Sequence, residues 1–414
     1  MSPYAHLAAI NFFVGDIQGG LGPFLATWLA ETERWGPERV GLVTTIVGLG
    51  ALALNGPAGL LVDRTGRPRL LLGSACGAIL AGTLLLLAAG GFWGVLAAQA
   101  LATAGGTLVL PALTSLTLGV VGKATFPRQQ GRNQAFNHAG ILFAAVLVLG
   151  GAKLLGADAA PLVLAGMALA AVGAVAAMPA GAWNGRRAHG WGEDEPDEDD
   201  RSRPVAHVLS NRRLLLFAAA LALFSLGNGA MLSLLGQRLA AAGADATGWV
   251  AVYVTVAQLT MIPVALWAGA LADTRGRCSL LLIACAALVA RAVFSALVSD
   301  PVWLIGAEVL DGVASGLLGV AIPVLVADLT WGTGRTQTAL GTVYAVQGVG
   351  GASSAVVGGV LVQWLGWSGA FFALAAPAAA AFALALWLGE APAEAAEERA
   401  LPHGGGREQR VPTV

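Results

Sequence analysis

Apolar residues run along this chain in long blocks, separated by short polar or glycine-containing interruptions. With about 20 apolar residues taken as one bilayer crossing, twelve blocks can be read, at roughly 7–30, 39–62, 69–90, 93–121, 134–156, 159–180, 213–239, 247–272, 278–299, 302–327, 338–363 and 367–389. The alternation of a membrane barrel is missing, and backbone amides find no water partner in hydrocarbon. The blocks are therefore expected to be helices. Abundant Gly and Ala within them suit close helix contact in lipid. No basic region precedes the first block, which is too long for a signal-peptide core and is expected to remain as the first membrane helix.

Composition agrees. Charged residues make up 11% and hydrophobic residues 57% of the 414, a balance that cannot cover a soluble domain with polar surface. The chain is expected to be an all-α polytopic integral membrane protein. A net charge of -1 gives no footprint for a nucleic-acid partner. Cys76, Cys278 and Cys285 lack metal-ligand spacing and read as inert thiols, so no metal or cofactor is expected. There is no Gly-x-x-x-x-Gly-Lys-Ser/Thr loop for ATP. Nor is there a nucleophile-base-orienter set, which speaks against an enzyme.

The sharpest local signal is a charged turn between two apolar blocks, Gly59-Leu-Leu-Val-Asp63-Arg64-Thr-Gly66-Arg67-Pro-Arg69. It returns 210 residues later as Gly269-Ala-Leu-Ala-Asp273-Thr274-Arg275-Gly276-Arg277, with Thr274 in the place of Arg64. A second correspondence pairs Gly131-Arg132 with Gly334-Arg335. Two related halves follow: a six-helix bundle over 1–180, an acidic linker over 181–212, a second bundle over 213–390 and a polar tail over 391–414. The linker and the tail read as solvated and disordered.

The doubled loop resembles the conserved loop of the major facilitator superfamily, a Gly-x-x-x-Asp-Arg-x-Gly-Arg pattern between helices 2 and 3 that recurs, weaker, between helices 8 and 9. The resemblance implies twelve transmembrane helices in two pseudo-symmetric bundles around a site near the bilayer midplane. It also implies that Asp63 stabilises one transport state by pairing with the end of a helix of the other half, while Arg64 and Arg67 hold the loop. The bland reading is a turn obeying the charge bias of inner loops. With both termini cytoplasmic, eighteen of the 23 Lys and Arg lie on the inner side, against Arg34, Arg39, Lys153 and Arg238 outside and Arg291 within a span. That asymmetry orients the protein in a cell (inner) membrane.

Ionisable groups inside hydrocarbon are functional candidates, because each costs several kcal/mol unless paired or facing water. Asp16 lies roughly 14 Å into helix 1 by helical rise, in a stretch that continues through Gln18. It reads either as a proton or substrate carboxylate or as a hydrogen-bonded packing group. Arg291 in helix 9 and Glu308 in helix 10 flank the turn at Asp300-Pro301 and should lie level, with Asp311 one turn along. They form either a structural ion pair or a relay. His138, on one face with Gln134, and Asn137, on one face with Asn133, sit at a polar start of helix 5. Gate or cavity floor is one reading, interhelical hydrogen bonding the other. Gln99, Asn228, Tyr253, Gln258, Tyr344 and Gln347 are further candidates for the cavity wall.

The expected function is secondary transport of a small molecule by alternating access, proton-coupled, working as a monomer in the lipid bilayer. Efflux of a drug or metabolite is the first reading and uptake of a small polar metabolite by symport or uniport the second. A non-transporting sensor or scaffold with the same fold is the third. The Gly-Pro-rich helix-5 signature usual in drug antiporters of the superfamily is missing between Gly140 and Gly151.

Overall fold

The computed structural model of the chain describes residues 2–17, 23–189, 204–206 and 210–389. Gln18, most of the acidic linker and the tail lie outside the described residues. The first half contains α1 (Pro3–Ile17), α2 (Pro23–Thr32), α3 (Pro37–Thr65), α4 (Pro68–Ala88), α5 (Gly91–Leu155), α6 (Ala159–Ala176) and α7 (Gly185–His189). The second half contains α8 (Arg212–Asn228), α9 (Met231–Ala241), α10 (Ala246–Thr274), α11 (Cys278–Leu297), α12 (Ile305–Leu329) and α13 (Thr336–Leu388).

Two of these helices turn back on themselves. Gly122 in α5 has φ 71° and ψ 174°, and Gly366 in α13 has φ 69° and ψ 179°, a region closed to side-chain-bearing residues. Each helix is therefore two membrane crossings, with arms over 91–121 and 123–155 in α5 and over 336–365 and 367–388 in α13. Among the described residues eight stretches are long and apolar enough to cross a membrane; the 86-residue stretch Gly91–Ala176 holds three crossings and the 53-residue stretch Thr336–Leu388 holds two. With α1 and α2 together supplying the first span, the twelve crossings expected from the sequence are present. Leu7, Leu72 and Ile79 belong to the core of the first bundle, and Phe217, Leu281 and Phe371 to that of the second.

The two halves are copies at the level of backbone detail. Left-handed glycines recur at an offset of 210: Gly66 and Gly276, Gly122 and Gly332, Gly156 and Gly366. Close approaches recur at the same offset. A Cβ at Gly140 would overlap the Phe12 carbonyl, and one at Gly350 would overlap the Ala222 carbonyl. Lipid offers no hydrophobic drive for helix association, so backbone contact through glycine is what draws these helices together.

The structure corrects two sequence readings. Helix 5 starts just after Gly122 and not near 134, because the polar stretch satisfies itself: Gln129 Nε2 donates to Asn133 Oδ1 at 2.9 Å, and Asn133 Nδ2 donates to Thr117 Oγ1 at 3.0 Å. The counterpart of Gly131 is Gly341, 210 residues on, and not Gly334. A Cβ at Gly131 would lie 2.5 Å from the Ala265 carbonyl, and one at Gly341 would overlap the Asn55 carbonyl.

Overpacking sets the first expectation. Gly140→Leu and Gly350→Leu should each destabilise the purified protein by about 1–3 kcal/mol, whereas Gly150→Leu, with open space around it, should leave thermal unfolding in detergent unchanged.

Candidate functional site

The halves meet along two crossings. In the first, α3 runs against the 336–365 arm of α13, and a Cβ at Gly59 would overlap the Gln337 carbonyl. One turn further along α3, Asp63 reaches the start of that arm. Its Oδ1 accepts from Gln337 N at 3.1 Å, and its Oδ2 accepts from Thr338 N and Thr338 Oγ1, both at 2.7 Å. The first amides of a helix have no partner within it, and Arg335 at the N-cap position supplies no side-chain cap. Asp63 thus caps a helix of the other half, a contact worth about 0.5–2 kcal/mol with the helix dipole adding to it.

In the second crossing α10 runs against the 123–155 arm of α5, with Gly269 facing the Pro127 carbonyl and Arg128 Cα at 2.9 and 3.1 Å from a Cβ built there. Asp273 meets Arg128 Nε at 2.7 Å. Here the helix already runs past this level, so no unpaired amides remain and a side chain provides the partner. Arg128 is 69% exposed, and such a pair contributes about 0–1 kcal/mol. The two copies of the loop therefore hold the halves with unequal strength.

The basic residues of the first loop divide differently from the sequence reading. Arg64 and Arg67 are exposed. It is Arg69 that ties the loop down, donating to the carbonyls of Val175 and Ala176 at 3.1 and 2.6 Å. Arg277 pairs with Asp328, which Lys123 also approaches at 3.9 Å. Asp328 was not singled out from sequence; its position beside Leu329 at the end of an apolar block gives no local motif.

A cavity of about 600 Å³ lies beyond the Asp63 contact, between α1, α2, α3 and the 91–121 arm of α5 on one side and α8 and α13 on the other. Its volume is that of a small-molecule site. Asn55, Gln99, Thr103, Thr107, Tyr344 and Gln347 present polar groups to it, amid Val43, Val47, Leu110 and several glycines. No charged side chain lines it among the described residues. Gln99, Tyr344 and Gln347 are among the cavity candidates read from the sequence. Asn55, Thr103 and Thr107 are not, because single hydroxyls and amides in apolar helices carry no spacing signal.

The other candidates are placed elsewhere. Tyr253 is fully buried and its hydroxyl donates to the Pro301 carbonyl at 2.8 Å. Asn137 is buried at the α1 crossing, its carbonyl beside Gly15. Gln258 Oε1 meets His138 Nδ1 at 2.7 Å, joining the two halves across the second crossing, while His138 Nε2 is buried without a hydrogen-bond partner among the described residues. Asp16 is partly buried, one residue before the cavity-lining Ile17. It has no hydrogen-bond or ion-pair partner among the described residues.

Arg291, Glu308, Asp311 and Asn228 form one buried cluster. Arg291 Nη2 donates to both Glu308 oxygens at 3.0 and 3.1 Å, and its Nη1 donates to Asp311 Oδ1 at 2.7 Å. Asn228, at the end of α8 where helix 7 is interrupted, bonds both Arg291 and Asp311. Side chains of Arg291 and Glu308 are 2% and 1% exposed, and that of Asp311 15%. Arg291 and Glu308 are thus level, as the helical rise required.

The family model described as Major Facilitator Superfamily matches residues 7–330 and 240–411. The chain belongs to the major facilitator superfamily. Two proteins from different strains of Mycobacterium tuberculosis, each named an uncharacterized MFS-type transporter, are 36% identical to it over 385 residues, covering 92% of this chain and 91% of theirs. Among solved structures, the superfamily transporter FucP in the outward conformation superposes with a TM-score of 0.73 at 17% identity, over 94% of this chain and 99% of FucP. The human organic anion transporter MFSD10 (TETRAN) gives 0.67 at 15% identity, over 92% and 96%. These structures share the fold. Membership in the superfamily makes this chain an integral membrane transporter.

In the superfamily frame the Arg291 cluster is a test of burial energetics. Removing Arg291 leaves two carboxylates without a counter-charge, at a cost of about 3–5 kcal/mol, whereas removing Glu308 leaves Arg291 paired with Asp311 at 2.7 Å. Arg291→Met should lower the folded yield more than Glu308→Leu does, and adding Glu308→Leu to Arg291→Met should recover part of the yield by removing one of the two unpaired carboxylates, read by fluorescence-detected size-exclusion chromatography.

Proposed function

We propose that this major facilitator superfamily member is a proton-coupled secondary transporter for a small, electrically neutral, partly apolar molecule, moved by alternating access with export as its direction. The observation that carries the reading is the chemistry of the cavity wall: amides, hydroxyls and one phenol set among aliphatic residues, with no charge among the described residues. A neutral amphiphile can hydrogen-bond to Asn55, Gln99 or Gln347 while its apolar part meets Val43 and Val47. An ionic substrate would meet no counter-charge there.

Asp16 supports proton coupling. It sits beside the cavity in the span with no partner among the described residues, so it can load from one side and discharge to the other without first breaking an ion pair. Glu308 and Asp311 share one arginine and are the reserve candidates. The Lys and Arg bias puts the Asp63 loop and both termini in the cytoplasm of a cell membrane. The described arrangement then corresponds to a state closed at the cytoplasmic end.

The amides and hydroxyls favour a second reading, uptake of a polar metabolite such as a sugar or polyol. FucP, a fucose:proton symporter by name, shares the fold at 16% identity, which leaves the substrate open.

The deciding experiment uses proteoliposomes with an interior pH dye under an imposed proton gradient and a panel of neutral amphipathic drugs, sugars and organic anions. A dye response with neutral amphiphiles that is lost in Asp16→Asn, with folded yield intact, is the expected result. Response to sugars alone establishes the second reading. No response across the panel, with the protein folded, contradicts proton-coupled transport of these classes.

A further inference from the structure

Many polar side chains within the spans are satisfied by the protein itself. Thr44 and Thr107 donate to carbonyls of their own helices, and Gln129, Asn133 and Thr117 bond one another. Six that face the cavity have no hydrogen-bond partner among the described residues: Asn55, Gln99 and Thr103 in the first half, and Ser225, Tyr344 and Gln347 in the second. Packing does not call for them. The counterparts of Asn55, Gln99 and Thr103 at the 210-residue offset are Ala265, Val309 and Val313, so an aliphatic side chain serves at each of these places in the other copy of the fold.

Three of the six are carboxamides, drawn from both halves. A carboxamide holds a donor and an acceptor side by side in one plane, and the group that meets both at once with straight bonds is another amide edge, an N–H beside a C=O. A single hydroxyl, with donor and acceptor on one atom, cannot do so. Elsewhere the wall is aliphatic, with Leu25, Val43, Val47 and Leu110. A sugar carries hydroxyls all round its ring and would turn several of them toward these side chains, where each loses its bonds to water without replacement. A ring with its polar atoms gathered on one edge escapes that cost. Room for such a ring lies beside Gly351, which lines the cavity and where a Cβ would come no nearer to another atom than 4.0 Å, at Ser225 Cβ.

We propose that the substrate is a neutral ring compound with an amide or lactam edge, held by Gln99 of the first half and Gln347 of the second while its apolar body lies against Val43 and Val47. The inference rests on the transport reading above and names the substrate class of the same cavity. Both amides then engage one ligand across the boundary between the bundles.

Binding of tritiated 2-quinolone, a neutral lactam fused to an apolar ring, to the purified full chain by scintillation proximity tests the assignment without a proton gradient. Saturable binding is expected. Unlabelled N-methyl-2-quinolone, which keeps the ring and loses the N–H, should compete about tenfold less well, the effect of one lost hydrogen bond, and naphthalene and fucose should not compete. Gln99→Leu and Gln347→Leu should each weaken binding about tenfold with thermal unfolding unchanged. Gly351→Leu should abolish it by filling the place of the ring, whereas Gly150→Leu, away from the cavity, should not. Equal competition by N-methyl-2-quinolone or naphthalene, or binding indifferent to both glutamine substitutions, overturns the amide edge and leaves transport of a neutral amphiphile standing. Competition by fucose overturns it in favour of a polar metabolite. No saturable binding, with proteoliposomes still responding to neutral amphiphiles, overturns the substrate class alone; with no response there either, both readings fall.

Discussion

Two helices can bring their backbones into contact only where neither interposes a side chain, and the structure of this transporter depends on that condition being met at a few glycines. In lipid the hydrophobic effect does not pull helices together, so close contact has to come from shape. Gly59, Gly131, Gly269 and Gly341 set the line along which the halves touch. Gly140 and Gly350 fix the helices within each half. The Asp63 cap can form only because Gly59 has already brought α3 against the start of the 336–365 arm.

From that shared line the halves diverge in chemistry. The first loop caps a helix end and the second forms an exposed ion pair, so the closed end is held chiefly by Asp63 and the pair of Asp273 and Arg128 adds little. The first bundle borders the cavity with hydroxyls and amides, while the second buries Arg291 with two carboxylates. A cycle that rocks two bundles needs contacts that can be released. A capped helix end, an exposed ion pair and the side-chain hydrogen bond between His138 and Gln258 are each contacts of a few kcal/mol or less.

Much of this was legible in the sequence. Twelve apolar blocks are twelve crossings, and the loop repeated at an offset of 210 marks the halves. The levelling of Arg291 with Glu308 followed from counting residues either side of Asp300-Pro301. What was hidden has a common cause. The extent of helix 5 was obscured because Gln129, Asn133 and Thr117 hydrogen-bond one another, and a chain of polar letters reads as a loop when its partners are unknown. The cavity wall was half seen: Gln99, Tyr344 and Gln347 stand out among aliphatic residues, whereas Asn55, Thr103 and Thr107 do not. Pairing Gly131 with Gly334 failed because a dipeptide match outweighed the constant offset that points to Gly341.

The central claim is that the Asp63 cap holds one end of the two bundles closed and that its release lets them rock. The direct measurement is a pair of spin-label distance distributions in nanodiscs. One pair joins Thr65→Cys and Thr274→Cys on the two equivalent loops, and the other joins Gly36→Cys and Ala242→Cys at the opposite end. The account predicts that Asp63→Ala adds a longer separation to the loop pair and a shorter one to the opposite pair in matching proportion. An unchanged loop distribution, or both pairs lengthening together, would contradict it.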